Sequence, residues 1–521
     1  MKNLGNHRPA RKRARWGICA VAALLAAIVI WVGSPVGPAS AAPVAPERLD
    51  TEAVDSYVED YLDRHGLVGA AVAVVHDGEV LHTAGYGDSG DAGTRADTPM
   101  ATGSVSKQMT AFAILQLVDD GTVDLDDPVI EHLPEFALAD ERASDITIRH
   151  LLSHTSGLPN PVIVEPASDL TEGVQRLHDW QLDADPGEQY SYSNFNYHAA
   201  ARLIETVTGV PFATYLQDRL FQPLGMADTR SVDTTSADDA GLQGGHVTAY
   251  GTALPLREME QLVAGAGGVI STAEDQARWL AMLTNGGTTP DGEQLLSPEL
   301  LDEAQSPQPG TDGEGLGWHL SSESVDPPRI GHSGATSRYS AQLDIVPSSG
   351  YGVVVMLNSY TPTAEHNYAI GSGIIDITEG STPELGTPVP TLLDAGLGLV
   401  TLLVIALTAT GIRRADRWSQ RRASWPRWRL GLRLLPQTIG PVLAILVFLV
   451  LPSLEGQATT PVDVFALWPA AMVVLLALAA SGAALLIARG VHRGTRKPAE
   501  TSPTDTGPSD TGPSDTAHAA E

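Results

Sequence analysis

Cysteine is almost absent: Cys19 is the only one in 521 residues, and it lies inside an apolar run. This excludes an intrachain disulfide framework and any multi-cysteine metal site. Lysine is nearly as scarce over the bulk of the chain. Between Pro43 and Pro390 there are 53 Asp and Glu against 14 Lys and Arg, and Lys107 is the only lysine among them. So acidic a block is a solvated face and a poor partner for nucleic acid, which calls for a positive surface.

Positive charge gathers instead beside apolar segments. Lys2, Arg8, Arg11, Lys12, Arg13 and Arg15 precede an apolar stretch from Trp16 to Gly33, which leads to Ala39-Ser40-Ala41. That order predicts a secretory signal peptide over residues 1–41, or the same segment retained as a signal anchor. Three further apolar segments, 395–412, 434–451 and 464–488, are long enough to cross a bilayer. The middle one carries Pro436, Gln437 and Pro441 and is the weakest as an independent span. Eight arginines lie from Arg413 to Arg433, whereas the connection near Glu455 and Asp463 has no basic residue. With three spans every basic cluster falls on the cytoplasmic side, and the acidic block faces outward as the extracytoplasmic part of a multi-pass cell-membrane protein. The Pro/Gly-rich tail at 498–521 repeats Thr-Gly-Pro-Ser-Asp and cannot build a core.

Within the outer block, residues 45–380, Val54, Val58 and Leu62 follow a helical period that starts at Asp50 and stops at Gly66. Two apolar runs then flank Asp77-Gly78, a hairpin signal, and a second hairpin is predicted around Pro347-Ser348-Ser349-Gly350. Between the hairpins the patterns are mostly helical, as in 109–118, 198–208 and 273–284. Strands at both ends with helices between predict an α/β (α+β) fold: one antiparallel sheet flanked by helices, plus a mostly helical subdomain, with the site in the cleft between them.

Ser104 stands three residues before Lys107 at a predicted helix start. On a helix the two share a face, and the first backbone N–H groups point at negative charge developing nearby. A nucleophile, a base and oxyanion donors can therefore meet there. Arginine stays protonated, whereas a desolvated lysine can lose its proton, so a lone lysine in an arginine-using region marks position 107.

Three motifs now stand in order: Ser104-Val105-Ser106-Lys107, Tyr192-Ser193-Asn194 and His332-Ser333-Gly334. Together with Ile146 to Leu158, Pro186-Gly187-Glu188 and Gly267 to Thr272, they resemble the serine β-lactamase-related superfamily, which holds class C β-lactamases, DD-peptidases and related esterases. The resemblance spans roughly Asp50 to Ile375. It implies a β-lactamase/transpeptidase-like fold and an acyl-enzyme on Ser104. Lys107 and Tyr192 would move the proton, and Asn194 would bind the substrate amide and the lysine. His332, Ser333 and Gly334 would line the strand edge, and the backbone N–H groups of Ser104 and Ala335 would form the oxyanion hole. A tyrosine near an ammonium can have a depressed pKa, which leaves Lys107 and Tyr192 both open as the base. Tyr192 also belongs to an aromatic run with Tyr190, Phe195 and Tyr197 that is compatible with core packing.

No cofactor or metal is implied. His150 and His154 have a helical metal-ligand spacing but no well-spaced acidic partner, and the aspartates from Asp119 to Asp127 misplace the glycine and glutamate of a calcium loop. Two departures from the family pattern bear on substrate. Histidine replaces lysine at 332, and Ser337-Arg338 stands where small glycines are common. The expectations are a narrowed or recharged strand edge and a His332 that gains charge towards pH ~6. The expected function is a membrane-anchored serine hydrolase, a peptidase or esterase on small acyl or D-amino-acid compounds, with cell-wall peptide as a substrate class. A true class C-like β-lactamase and a non-catalytic penicillin-binding sensor or scaffold are the alternatives.

Overall fold

The structure is a computed structural model that describes residues 49–87, 93–161, 167–236, 242, 244–450 and 461–494. The expected signal segment and polar tail lie outside the described residues.

Helix α1, Thr51–His65, begins where Asp50 Oδ1 accepts from Ala53 N at 3.0 Å and ends on Gly66 at φ 67°. A side chain at Gly66 would meet both an unfavourable backbone and the carbonyl of Gly251, so glycine is needed. Strands β1, Gly69–His76, and β2, Glu79–Gly87, fold back through Asp77 and Gly78, both at positive φ.

The main sheet adds β3, His319–Leu320, β4, Ile330–Ala335, β5, Ser340–Val346, and β6, Tyr351–Leu357. Its order is β2-β1-β6-β5-β4-β3, antiparallel throughout. The first hairpin thus pairs with the last, with Ala70 opposite Leu357 and His76 opposite Tyr351.

Alternation decides the layers. Val72, Val74, Val353 and Val355 point to one face, where they pack with α1 and helix α5, His366–Thr378. Ala71, Ala73, Leu343 and Val354 point to the other and join one core with α2, Ser106–Asp119, α3, Asn194–Thr208, and α4, Ala273–Thr284. This is the expected fold class: an antiparallel sheet between helices, with a helical subdomain on one side.

Short strands between and just after the hairpins were not legible in the sequence. Met100–Ala101, Arg230–Ser231 and Val269–Ser271 make one small sheet; His246–Ala249, Thr252–Pro255 and Ser359–Tyr360 make another. Strands of two to four residues are too short to show an alternating pattern.

Two C-terminal helices are long and apolar enough to cross a membrane: α6, Val389–Arg413, and α7, Pro469–Gly494. The expected middle span is a pair of helices, 427–437 and 439–450, bent by 55°, long and apolar enough to cross a membrane when the two are taken together. Pro436 and Pro441 flank the bend, each removing a backbone donor, which accounts for it. The last segment is likewise broken at Trp468 before Pro469, so its long helix starts later than the expected 464.

Candidate active site

Ser104 lies in a single 3-10 turn, Gly103–Val105, that runs into α2. The turn is tied down by Ser106, whose hydroxyl donates to Gly103 O at 2.7 Å and accepts from Val269 N at 3.0 Å. Gly103 has φ 54°, and a Cβ there would come within 2.5 Å of Ala335 N. Across from it, a Cβ on Gly334 would collide with Thr102 O and reach Ser104 N at 2.8 Å. Two glycines therefore let the nucleophile turn and the edge of β4 approach backbone to backbone, the placement that two oxyanion donors require.

Lys107 is completely enclosed, at 0% exposure. Its Nζ is 3.0 Å from Ser104 Oγ, 2.8 Å from Asn194 Oδ1 and 2.7 Å from Ala266 O. Burial lowers its pKa to about 7, opposed by the negative charge of Glu314. A neutral amine donates two hydrogen bonds and accepts one. With two donors directed at Asn194 Oδ1 and Ala266 O, the neutral form would keep its lone pair for the Ser104 proton, whereas the charged form donates to all three oxygens.

Tyr192 OH lies 2.7 Å from Ser104 Oγ. Its pKa is raised to about 12 by burial, with the Ser104 hydrogen bond acting the other way. The expected depression by ammonium charge is not found: burial dominates, and the charge of Glu314 acts in the same upward direction. Tyr192 rests on the ring of His154, with centroids 4.4 Å apart. His154, at φ 57°, accepts at Nδ1 from Ser193 N at 3.2 Å and Asn196 Nδ2 at 3.0 Å. His150 Nδ1 accepts from Thr147 N in a capping box. Both histidines considered as metal ligands thus have structural partners, and among the described residues no cluster of three His, Cys, Asp or Glu side chains is arranged around a metal position.

On β4, His332 is buried near Lys107, Ser333 is half-buried and Ala335 is exposed at the strand end. The short strand β3 pairs only with Ile330 and Gly331, which leaves the edge from His332 to Ala335 open to the cleft. Burial, reinforced by Lys107, drives the His332 pKa down to about 3. This corrects the expected charge gain near pH 6: the imidazole is neutral throughout the physiological range.

The expected recharging of the edge by Ser337-Arg338 is also corrected. Ser337 N and Thr336 Oγ1 donate to the Glu258 carboxylate at 2.7 and 2.8 Å. Arg338 is 2% exposed and donates to Ser337 O, so its guanidinium is buried in the fold and does not line the cleft.

The cleft has two connected compartments. One of 620 Å³ is lined by Ser104, Tyr192, Ser333, Gly334 and Ala335. The other, 440 Å³, continues past Tyr192 and His332 to Glu314, Arg329 and Asp344. Sequence reading missed Ala266, His154 as a support, and Glu314. Only the glycine-rich run Gly265 to Gly268 hinted that backbone comes close to the lysine.

A family profile described as Beta-lactamase matches residues 54–372, more than half of the chain. The chain belongs to the beta-lactamase family. Its beta-lactamase region is 33% identical over 321 residues to Penicillin-binding protein 4 of Amycolatopsis lactamdurans, covering 58% of this chain and 83% of that one. It is 27% identical over 318 residues to Protein flp of Staphylococcus aureus strain MW2, covering 58% and 62% respectively, so it spans less than two thirds of that relative. The octameric penicillin-binding protein homologue from Pyrococcus abyssi shares the fold, with TM-score 0.56 at 24% identity over 66% of this chain and 80% of that one. This beta-lactamase-family chain therefore falls in the serine hydrolase and penicillin-binding class.

Proposed function

We propose that the protein is a membrane-anchored, extracytoplasmic serine hydrolase that forms an acyl-enzyme on Ser104, acting as a peptidase or esterase on small acyl or D-amino-acid-containing compounds. The observation that carries this reading is the enclosed Lys107, neutralised to a pKa of about 7 and 3.0 Å from the Ser104 hydroxyl. A general base works best when its pKa lies near the operating pH.

In this reading Ser104 Oγ attacks the substrate carbonyl carbon while its proton passes to Lys107 Nζ. The N–H groups of Ser104 and Ala335 hold the oxyanion. Tyr192, kept as a neutral phenol, relays the proton from lysine to the departing amine or alcohol. Asn194 orients the lysine and the substrate amide. Water then attacks the ester with the same pair acting in reverse.

Neutral His332 supplies a hydrogen bond in place of a fixed charge for a substrate carboxylate, which argues against efficient β-lactam turnover. Penicillin should still trap the serine, since acylation needs only the serine, the base and the oxyanion hole. The α6 and α7 helices support anchoring in the bilayer, and the Arg-rich connection 413–433 supports its placement in the cytoplasm.

A panel of p-nitrophenyl esters, D-alanyl peptides and a chromogenic cephalosporin tests the assignment. Ester or peptide cleavage with slow cephalosporin turnover is expected. Rapid cephalosporin hydrolysis without ester or peptide cleavage would make the protein a true β-lactamase instead.

A further inference from the structure

The 440 Å³ compartment beyond His332 is lined in part by two side chains, each with an oxygen that accepts no hydrogen bond from the fold. Asp344 and Gln342 lie on β5 opposite Gly331 and Ser333 of β4. They are 3% and 4% exposed. Gln342 Nε2 donates to Asp344 Oδ1 at 2.9 Å, which fixes both side chains, yet Asp344 Oδ2 and Gln342 Oε1 accept no hydrogen bond. A Cβ at Gly331 would collide with Leu343 O and with Asp344 Oδ1, so glycine lets β4 lie close against this part of β5.

Charge around these acceptors leans negative. Arg329 Nη1 is 3.9 Å from Asp344 Oδ2, but it donates to Ser372 Oγ at 2.9 Å, and its guanidinium lies over the Tyr368 ring. His319 Nδ1 lies 3.0 Å from Glu314 Oε2 and offsets that carboxylate only when the imidazole is protonated. Glu365 stands exposed at the mouth. Three carboxylates, Glu314, Asp344 and Glu365, therefore stand against one guanidinium and the His319 imidazole.

We infer that this compartment is a second subsite, which binds a primary ammonium head carried by the substrate. An ammonium offers three donors and a positive charge, which suits a carboxylate oxygen and an amide oxygen that both lack a hydrogen-bond donor. A hydroxyl offers one donor, and a carboxylate offers none and adds charge of the wrong sign. At about 3.3 Å per residue along β4, the two acceptors stand about 7 to 13 Å from Ala335, which sets the length of the tail between the scissile carbonyl and the amine.

The inference rests on Ser104 acylation, and the test separates the two. With the full-length protein in detergent, second-order acylation rates are measured for a short p-nitrophenyl acetate. They are then measured for ester series whose tails end in ammonium, hydroxyl or methyl, with the tail placed on the acyl side in one series and on the leaving alcohol in the other. A preference of about 10-fold for the ammonium tail over its methyl isostere is expected in one series, the size of a charge-assisted contact. Asp344→Asn should reduce it to about 3-fold or less while the acetate rate is unchanged. Glu365→Gln, at an exposed position whose side chain makes no helix-cap hydrogen bond, should reduce it by a smaller factor.

No ammonium preference in either series, or a preference untouched by both variants, overturns the subsite. If the acetate is not hydrolysed, or is hydrolysed equally by Ser104→Ala, the underlying acyl-enzyme reading fails instead.

Discussion

The Nζ of Lys107 stands 3.0 Å from the Oγ of Ser104 inside a fully enclosed environment, and burial there lowers the lysine pKa to about 7. A charged lysine at the same distance would only orient the serine. A neutral one can take its proton.

Arginine is no substitute for a lysine that must deprotonate. Lys107→Arg is expected to lose acylation as severely as Lys107→Ala, by about 10²- to 10⁴-fold, the range for a lost general base. Stopped-flow acylation with a p-nitrophenyl ester measures both. Near-full activity in Lys107→Arg would reduce the lysine to an electrostatic partner.

The pH dependence has a definite sign. The working form of Lys107 is the free amine, so acylation should rise with pH and level off above about pH 7. Glu314 favours the protonated lysine through its charge. Glu314→Gln should therefore shift the midpoint of the profile to lower pH without changing the plateau greatly. A midpoint that moves upward, or a profile governed by a group near pH 12, would assign the base elsewhere.

Gly334 keeps β4 against the nucleophile turn. A methyl group at this position would collide with Thr102 O and lie 2.8 Å from Ser104 N. Gly334→Ala should separate the two oxyanion donors and cost about 10²- to 10³-fold in acylation, the size of one lost donor. Thermal melting of the same variant checks that the loss arises in a folded protein. Unchanged acylation would show that the hole does not need this close approach.

Protease added to intact cells should remove the acidic domain and leave the Arg-rich connection and tail protected. Protection of the domain with loss of the tail would reverse the proposed topology.

Several of these features were readable in the residues alone. Lys107 stands out as the one lysine in an arginine-using block, and the end hairpins follow from Asp77-Gly78 and Pro347 to Gly350. What surrounds the lysine was not readable. Ala266 acts through its carbonyl, which carries no side-chain signature. Glu314 and His154 reach the site by contacts far apart in sequence. Arg338 carries a charge that suggests exposure, but Glu258, 80 residues earlier, draws the segment beside it into the fold. His332 shows the same limit: its titration depends on burial and on Lys107, not on its own ordinary pKa. The bend in the middle apolar segment was foreshadowed by two prolines, although its angle is a property of the packed helices.

The most direct test of the account is intact-protein and peptide mass spectrometry after brief exposure to a labelled fluorophosphonate and, separately, to penicillin. One covalent adduct on Ser104 is expected with each reagent, abolished in Ser104→Ala and strongly slowed in Lys107→Arg. Undiminished labelling of Ser104→Ala, or an adduct on any other residue, would contradict it.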